Sequence, residues 1–309
     1  MDLLRHVFKS PPSPTGMGDD CAVVKMGRET LLFTSDMLTE SAHFRYCRNP
    51  EQKGRMAMAV NLSDIAAMGG KPEFALVSIG IPHSMCHTDV IQFARGISRA
   101  AEEYGVRVLG GDTKSAYELT ASITVCGKAI AKPMLRSGAR SGDYLAVTGK
   151  LGAASSAYYS LNRGLSDNPG RLCNPFPRVA EGMKLAESGA VTAAMDITDG
   201  LALSAWYVSR ASGVSIEIDR GAIPVDDRLK KLNVSEEERE NMLLYWGGDY
   251  ELLFTVSRDS ALSRLRKEKA LDFTVIGRVK SGSGVHLLDG GQRRKLNEEG
   301  YDSLAQGTA

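Results

Sequence analysis

Five short acidic motifs constrain this chain more than any other feature of it: GMGDD at residues 16–20, TSD at 34–36, NLSDIAAMGG at 61–70, GGDT at 110–113 and MDITDG at 195–200. Most of them sit where an apolar run meets glycine. An aspartate at such a point is expected at the end of a strand or the start of a helix, so residues distant in sequence can converge on one cavity. A cavity holding Asp20, Asp36, Asp64, Asp112, Asp196 and Asp199 needs cations, because carboxylates that close raise one another's pKa. Magnesium, held by a few carboxylates and shared with phosphates, is the natural solution. The pattern points to a magnesium-dependent enzyme acting on a polyphosphate.

The chain is long enough for two domains at 309 residues. An apolar fraction of 43% and a charged fraction of 24% are those of an ordinary globular protein. The net charge of +1 creates no field that would draw nucleic acid or an anionic membrane. No apolar run approaches the length of a membrane span, and the first residues lack the apolar core of a signal peptide. Five widely spaced cysteines, at 21, 47, 86, 126 and 173, fit reduced thiols in a cytoplasmic protein.

Strands are expected at 31–36, 74–82, 106–112, 119–129, 143–148, 215–219 and 272–279, and 246–256 reads as a turn and strand. TSD and GGD are read as polar turns that end their strands. Helices are expected at 51–68, 88–104, 152–163, 178–188, 200–211 and 259–268. The proline-bearing arm of residues 1–15 is expected to be poorly ordered. The basic, glycine-rich stretch at 136–149 reads as a seam between an N-terminal domain, 1–135, and a C-terminal domain, 136–309. Strands and helices interleave without strict alternation, which favours an α+β fold of two layered domains.

Taken singly, an aspartate beside glycine is ordinary turn chemistry. Asp64 is different, because it falls inside a helical pattern among Leu62, Ile65 and Ala66. A carboxylate buried there needs a partner or a metal. Asn61, three residues earlier, shares its face. Gly110 and Gly111 allow a phosphate close to the backbone, and Arg136 suits bidentate phosphate contacts. No Walker motif and no GxGxxG after a strand is present. The HSMCH stretch at 83–87 lacks a fourth zinc ligand and reads as a surface loop.

In wording and order, GMGDDCAVV, FTSDMLTESAHF, AVNLSDIAAMGGKPEFALVSIGIP, GGDTKSA, RSGARSGDYLAVTGKLG and MDITDGL resemble the thiamine-monophosphate kinase family, from about residue 16 to residue 256. That family is akin to aminoimidazole ribonucleotide synthetase, selenophosphate synthetase and a hydrogenase maturation protein. The resemblance implies two α/β-layered domains and a homodimer whose N-terminal strands form a shared barrel. It implies ATP-dependent phosphorylation of thiamine monophosphate, with magnesium. Asp20, Asp36, Asp64, Asp112 and Asp196 match magnesium positions, Thr34 and Ser35 neighbouring metal contacts, and Asp199 a further metal site. Gly111, Asp112, Arg136 and Thr198 match ATP contacts, and His43 and Tyr301 substrate contacts. One departure stands out. The family commonly reads GGEDYEL where this chain reads WGGDYEL at 246–252, so Gly248 stands where an acidic substrate contact is expected, unless Asp249 or Glu251 takes its place. Two other readings are another ATP-dependent enzyme of the same superfamily and a catalytically silent nucleotide- or metal-binding module.

Overall fold

The structure, a computed structural model, describes residues 7–8, 11, 16–268 and 271–301. The N-terminal arm and the stretch after Tyr301 lie almost wholly outside these residues. The first unit is built from β1 (Ala22–Met26), β2 (Glu29–Thr39), β3 (Gly70–Pro82), β4 (Arg107–Ala116) and β5 (Thr120–Ala129), in the sheet order β1-β2-β5-β3-β4. Helices α1 (Pro50–Ala67) and α2 (His87–Glu103) cover one face. β5 shows why: Ala121, Ile123 and Val125 are fully buried while the residues between them are half-buried, the period of two that one covered face imposes.

α1 starts where the sequence tells it to. The Asn49 side chain accepts from the Glu51 amide at 2.8 Å, and Pro50 fills the first helical position without losing a bond. Most of this helix is buried, because it lies between the first sheet, α2 and the second unit. A side chain at Gly54 would lie 2.0 Å from the Phe93 carbonyl oxygen, and one at Gly96 2.0 Å from that of Glu51. Glycine at both crossing points lets α1 and α2 meet backbone to backbone.

The second unit is a sheet in the order β12-β11-β8-β10-β6-β9-β7. Its strands are β6 (Tyr144–Thr148), β7 (Val191–Asp196), β8 (Ser215–Asp219), β9 (Leu252–Val256), β10 (Phe273–Lys280), β11 (Gly284–Asp289) and β12 (Gln292–Lys295). Its helices are α3 (Ala153–Asn162), α4 (Val179–Ser188), α5 (Leu201–Ser212), α6 (Asp227–Lys231), α7 (Glu236–Leu244) and α8 (Arg258–Leu265). β9 is buried along its whole length. Leu252, Phe254 and Val256 join the core that holds Leu62 and Ile65 of α1, while Leu253 joins the core under α5 and α7. The seam between the units is therefore itself hydrophobic core, and the elements that meet there are held firmly.

The layered α+β expectation agrees with these two mixed sheets, and several finer expectations need correction. TSD and GGD are not turns. Asp36 lies inside β2 and Asp112 inside β4, because sheet pairing on β5 and β3 overrides the weak strand preference of Ser, Asp and Gly. The cysteines are not all reduced: Cys47 and Cys173, both buried, form a disulfide across 126 residues of sequence. Residues 227–231, 236–244 and 284–295 gave no sequence signal, yet they form α6, α7 and the β11–β12 hairpin.

Candidate metal and phosphate site

Three aspartates from three separate elements meet at the seam. Oxygens of Asp20, Asp64 and Asp196 all lie within 4.8 Å of one another. Asp20 precedes β1, Asp64 projects from the last turns of α1, and Asp196 ends β7. Each is held by a neighbour. The Thr34 hydroxyl on β2 donates to Asp64 Oδ2. The Ser63 hydroxyl on α1 donates to Asp196 Oδ2 at 2.5 Å. Asp20 Oδ1 accepts from Arg136 Nε at 3.1 Å and also from the Arg136 terminal nitrogen. Asp20 Oδ2 is buried with no hydrogen-bond partner. A buried carboxylate oxygen left unpaired is costly, and it belongs to a carboxylate that meets two others.

Burial raises the pKa of Asp20, Asp64 and Asp196. Neighbouring aspartates push Asp64 and Asp196 further up, while Arg136 draws Asp20 back down. Asp36 is raised to about 6, by burial first and then by the charges of Asp199 and Asp20. Asp36 and Asp199 therefore border the same cluster. The backbone amide of Asp36 donates to Asn61 Oδ1 at 3.0 Å, and Asn61 Nδ2 donates back to the Ala57 carbonyl at 3.1 Å. The asparagine three residues before Asp64 thus ties β2 to α1. Cys21, next to Asp20, has its thiol pushed well up by burial and by these carboxylates.

The remaining sequence candidates divide. Thr198 lies between Asp196 and Asp199, and its carbonyl accepts the Gly248 amide at 2.7 Å. The Tyr301 amide donates to the Asp199 carbonyl at 3.0 Å. His43 sits in a short π-helical turn, Glu40–Phe44. Its Nδ1 accepts the Thr39 amide at 3.1 Å, so the ring proton belongs on Nε2, and burial lowers its pKa. Ser35, by contrast, faces away from the cluster. It pairs with Thr124, and the two hydroxyls hydrogen-bond at 2.9 Å on the opposite face of the sheet. Asp112 is exposed on edge strand β4, bonded to the Thr113 amide at 2.8 Å and paired with Lys114 at 3.2 Å. β5 and β3 separate it from β2 and Asp36. Gly111 is demanded by packing, since a Cβ there would lie 1.7 Å from the Val77 carbonyl oxygen.

Asp249 occupies a structural position. It is buried, and its carboxylate accepts the Gly152 amide at 2.8 Å and the Ala154 amide at 3.3 Å, at the start of α3. The arrangement therefore does not offer Asp249 as a replacement at Gly248. Glu251 is likewise committed, accepting from Arg178 Nε and Nη2 at 2.6 Å each and from Thr148 at 2.6 Å. Two residues that the motifs did not single out belong to the site. Ser63 reads in sequence as a helical serine of poor propensity, and its partner Asp196 is 133 residues away. Tyr250 is the one non-glycine residue with positive φ, 53°, among the described residues. Burial and the charges of Asp36, Asp196, Asp199 and Asp64 push its phenol well up. Strained backbone of this kind clusters at functional sites.

Two sheets sharing a seam, with a carboxylate cluster at that seam and no P-loop, define a class. Residues 18–129 match the N-terminal domain of AIR synthase related proteins and residues 140–289 match their C-terminal domain. The thiamine-monophosphate kinase of Pyrococcus horikoshii is 34% identical over 94% of this chain and 92% of its own length. The crystal structure of thiamine monophosphate kinase from Aquifex aeolicus superposes with a TM-score of 0.81 at 31% identity, covering 96% of both chains. A structure of AaThiL complexed with AMPPCP and TMP gives a TM-score of 0.84 at 32% identity, over 97% of this chain and 94% of that one. The chain belongs to the thiamine-monophosphate kinase family.

Proposed function

We propose that this chain transfers the terminal phosphoryl group of ATP to the phosphate of thiamine monophosphate, giving thiamine diphosphate and ADP. The observation that carries the reading is the three-aspartate cluster, with its orphaned Asp20 oxygen, in a chain of this family. The acceptor oxygen is already anionic at neutral pH, so no strong base is needed. What such a reaction needs is charge compensation and alignment.

The donor set fits magnesium: three carboxylates whose oxygens converge, one of them buried without a partner. Asp20, Asp64 and Asp196 would hold the ion, with Asp36 and Asp199 beside them. A bound magnesium would offset charge on the transferred phosphoryl group. The chain's own residues do the rest. Thr34 and Ser63 orient Asp64 and Asp196. The guanidinium of Arg136 neutralises Asp20 and stands ready for a phosphate oxygen. His43 and Tyr301 take the acceptor side, and Thr198 the nucleotide side.

We further infer a homodimer with a barrel shared between N-terminal sheets. The uncovered face of the first sheet supports this reading. Met37 is 62% exposed and Leu76 53%, and Leu109 on edge strand β4 is 60% exposed. An apolar face beside an open edge calls for a partner. Ser35 and Asp112, which lie away from the carboxylate cluster within one chain, would then face that barrel. The test of the reaction is chromatography of purified protein with ATP, magnesium and either thiamine or thiamine monophosphate. Diphosphate product from the monophosphate alone is expected, and equal phosphorylation of free thiamine would refute the assignment.

A further inference from the structure

We propose that Trp246 provides the surface on which the cationic ring of the acceptor lies, so that an indole face, and not a carboxylate, recognises that charge in this chain. The proposal rests on the reading of the acceptor as thiamine monophosphate and names a contact for it. Three half-buried rings form a ladder across the seam. Tyr46 meets Tyr158 with centroids 5.3 Å apart at 74°, and Tyr158 meets Trp246 at 5.0 Å and 76°. Tyr46 comes from the first unit, three residues after His43. Tyr158 stands on α3. Trp246 opens the turn whose Gly248 amide binds the Thr198 carbonyl at 2.7 Å. One end of the ladder therefore abuts the Asp196–Asp199 segment, where the phosphate groups are expected.

Among the described residues, the 246–251 turn itself offers no free carboxylate. Gly248 has no side chain, Asp249 is bound to the amides at the start of α3, and Glu251 is held by Arg178. A Cβ on Gly248 would meet Ala154 Cβ at 3.1 Å and, chain neighbours aside, no other described residue within 4 Å. A thiazolium carries permanent positive charge. With the turn's own carboxylates committed elsewhere, the π-face of Trp246 is the strongest neutral partner for it. The ladder already accepts one cation: the Arg45 guanidinium carbon lies 5.0 Å from the Tyr46 centroid.

The chain has two tryptophans, so Trp206→Phe leaves Trp246 as the sole indole reporter. In that background, thiamine monophosphate added without ATP is expected to quench the fluorescence saturably, and inorganic phosphate is not. In steady-state assays, Trp246→Leu is expected to raise the KM for thiamine monophosphate on the order of tenfold. The KM for ATP should stay within twofold, and Trp246→Phe should recover most of the loss. Melting temperatures of both variants confirm that folded protein is compared. Absence of quenching, or a Trp246→Leu KM within twofold of wild type, overturns the proposal. Failure of the wild-type protein to turn over thiamine monophosphate overturns the functional reading instead.

Discussion

Asparagine in place of Asp64 removes one charge from the cluster without changing its shape, and it separates stability from activity. Two unit charges at 4.8 Å, the distance within which these oxygens lie, repel by about 3.5 kcal/mol at an effective dielectric constant of 20. Asp64 faces two such neighbours, and one of them, Asp20, is largely offset by Arg136. Burial first, and then the charges of Asp36, Asp196 and Asp20, hold the pKa of Asp64 well above the ordinary value in the metal-free protein. The sign follows. A carboxyl group with a raised pKa in the folded state stabilises fully below its unfolded pKa and loses that contribution as pH rises through the folded one. Asparagine has nothing to lose. In EDTA, Asp64→Asn should therefore melt above wild type at pH 8, by about 2 °C for each kcal/mol relieved, and the gap should shrink toward pH 5. Magnesium should raise the wild-type melting temperature at pH 8 and leave that of the variant nearly unmoved, while turnover falls at least a thousandfold, as an order of magnitude. The assay is differential scanning fluorimetry with and without magnesium, beside a product assay. An active variant, or one less stable than wild type in EDTA at pH 8, would refute the reasoning.

Ser63→Ala should weaken magnesium binding by about 10- to 100-fold, since partners of metal ligands have effects of that size; isothermal titration checks it, and an unchanged affinity counts against the role given to Ser63. Asp249→Ala should cost about 1–2 kcal/mol of stability, the size of a lost helix cap, with the KM for thiamine monophosphate unchanged; a raised KM with no change in melting would return Asp249 to the substrate. The pKa of Asp249 is raised to about 7 by burial, so its contribution to stability should fade as pH rises through 7, and Asp249→Asn should flatten that part of the pH profile. Reduction of Cys47–Cys173, which closes a separation of 126 residues, should destabilise by up to about 5 kcal/mol on chain-entropy grounds. Melting with and without dithiothreitol reads this, and identical curves, with thiol titration showing reduction, would contradict it.

What the sequence revealed and what it hid follow from the range of the interactions involved. α1 was legible because its helical pattern is local, and an apolar setting marks Asp64 as out of place. β5 was legible as a strand at 119–129, and its period of two appears in the burial of Ala121, Ile123 and Val125. TSD and GGDT misled because turn residues were weighed by local preference, whereas neighbouring strands decided their conformation. The cluster itself was legible as a list of aspartates, yet not as a geometry. Asp20, Asp64 and Asp196 meet through tertiary packing at the seam, while Asp112 lies on edge strand β4 of the first sheet. Ser63 and the disulfide stayed hidden because each partner is more than 120 residues away. Tyr250 stayed hidden because positive φ at a tyrosine follows from the Gly247–Gly248 turn and its bonds to Ile197 and Thr198.

A single-turnover experiment with ATP labelled at its terminal phosphate tests the central claim most directly. With thiamine monophosphate and magnesium in excess over EDTA, all transferred label is expected in the outer phosphate of thiamine diphosphate, with none bound to protein at any time. With EDTA in excess, transfer should stop. Label trapped on the protein, label released only as inorganic phosphate, or undiminished transfer in EDTA would contradict direct transfer at the aspartate cluster.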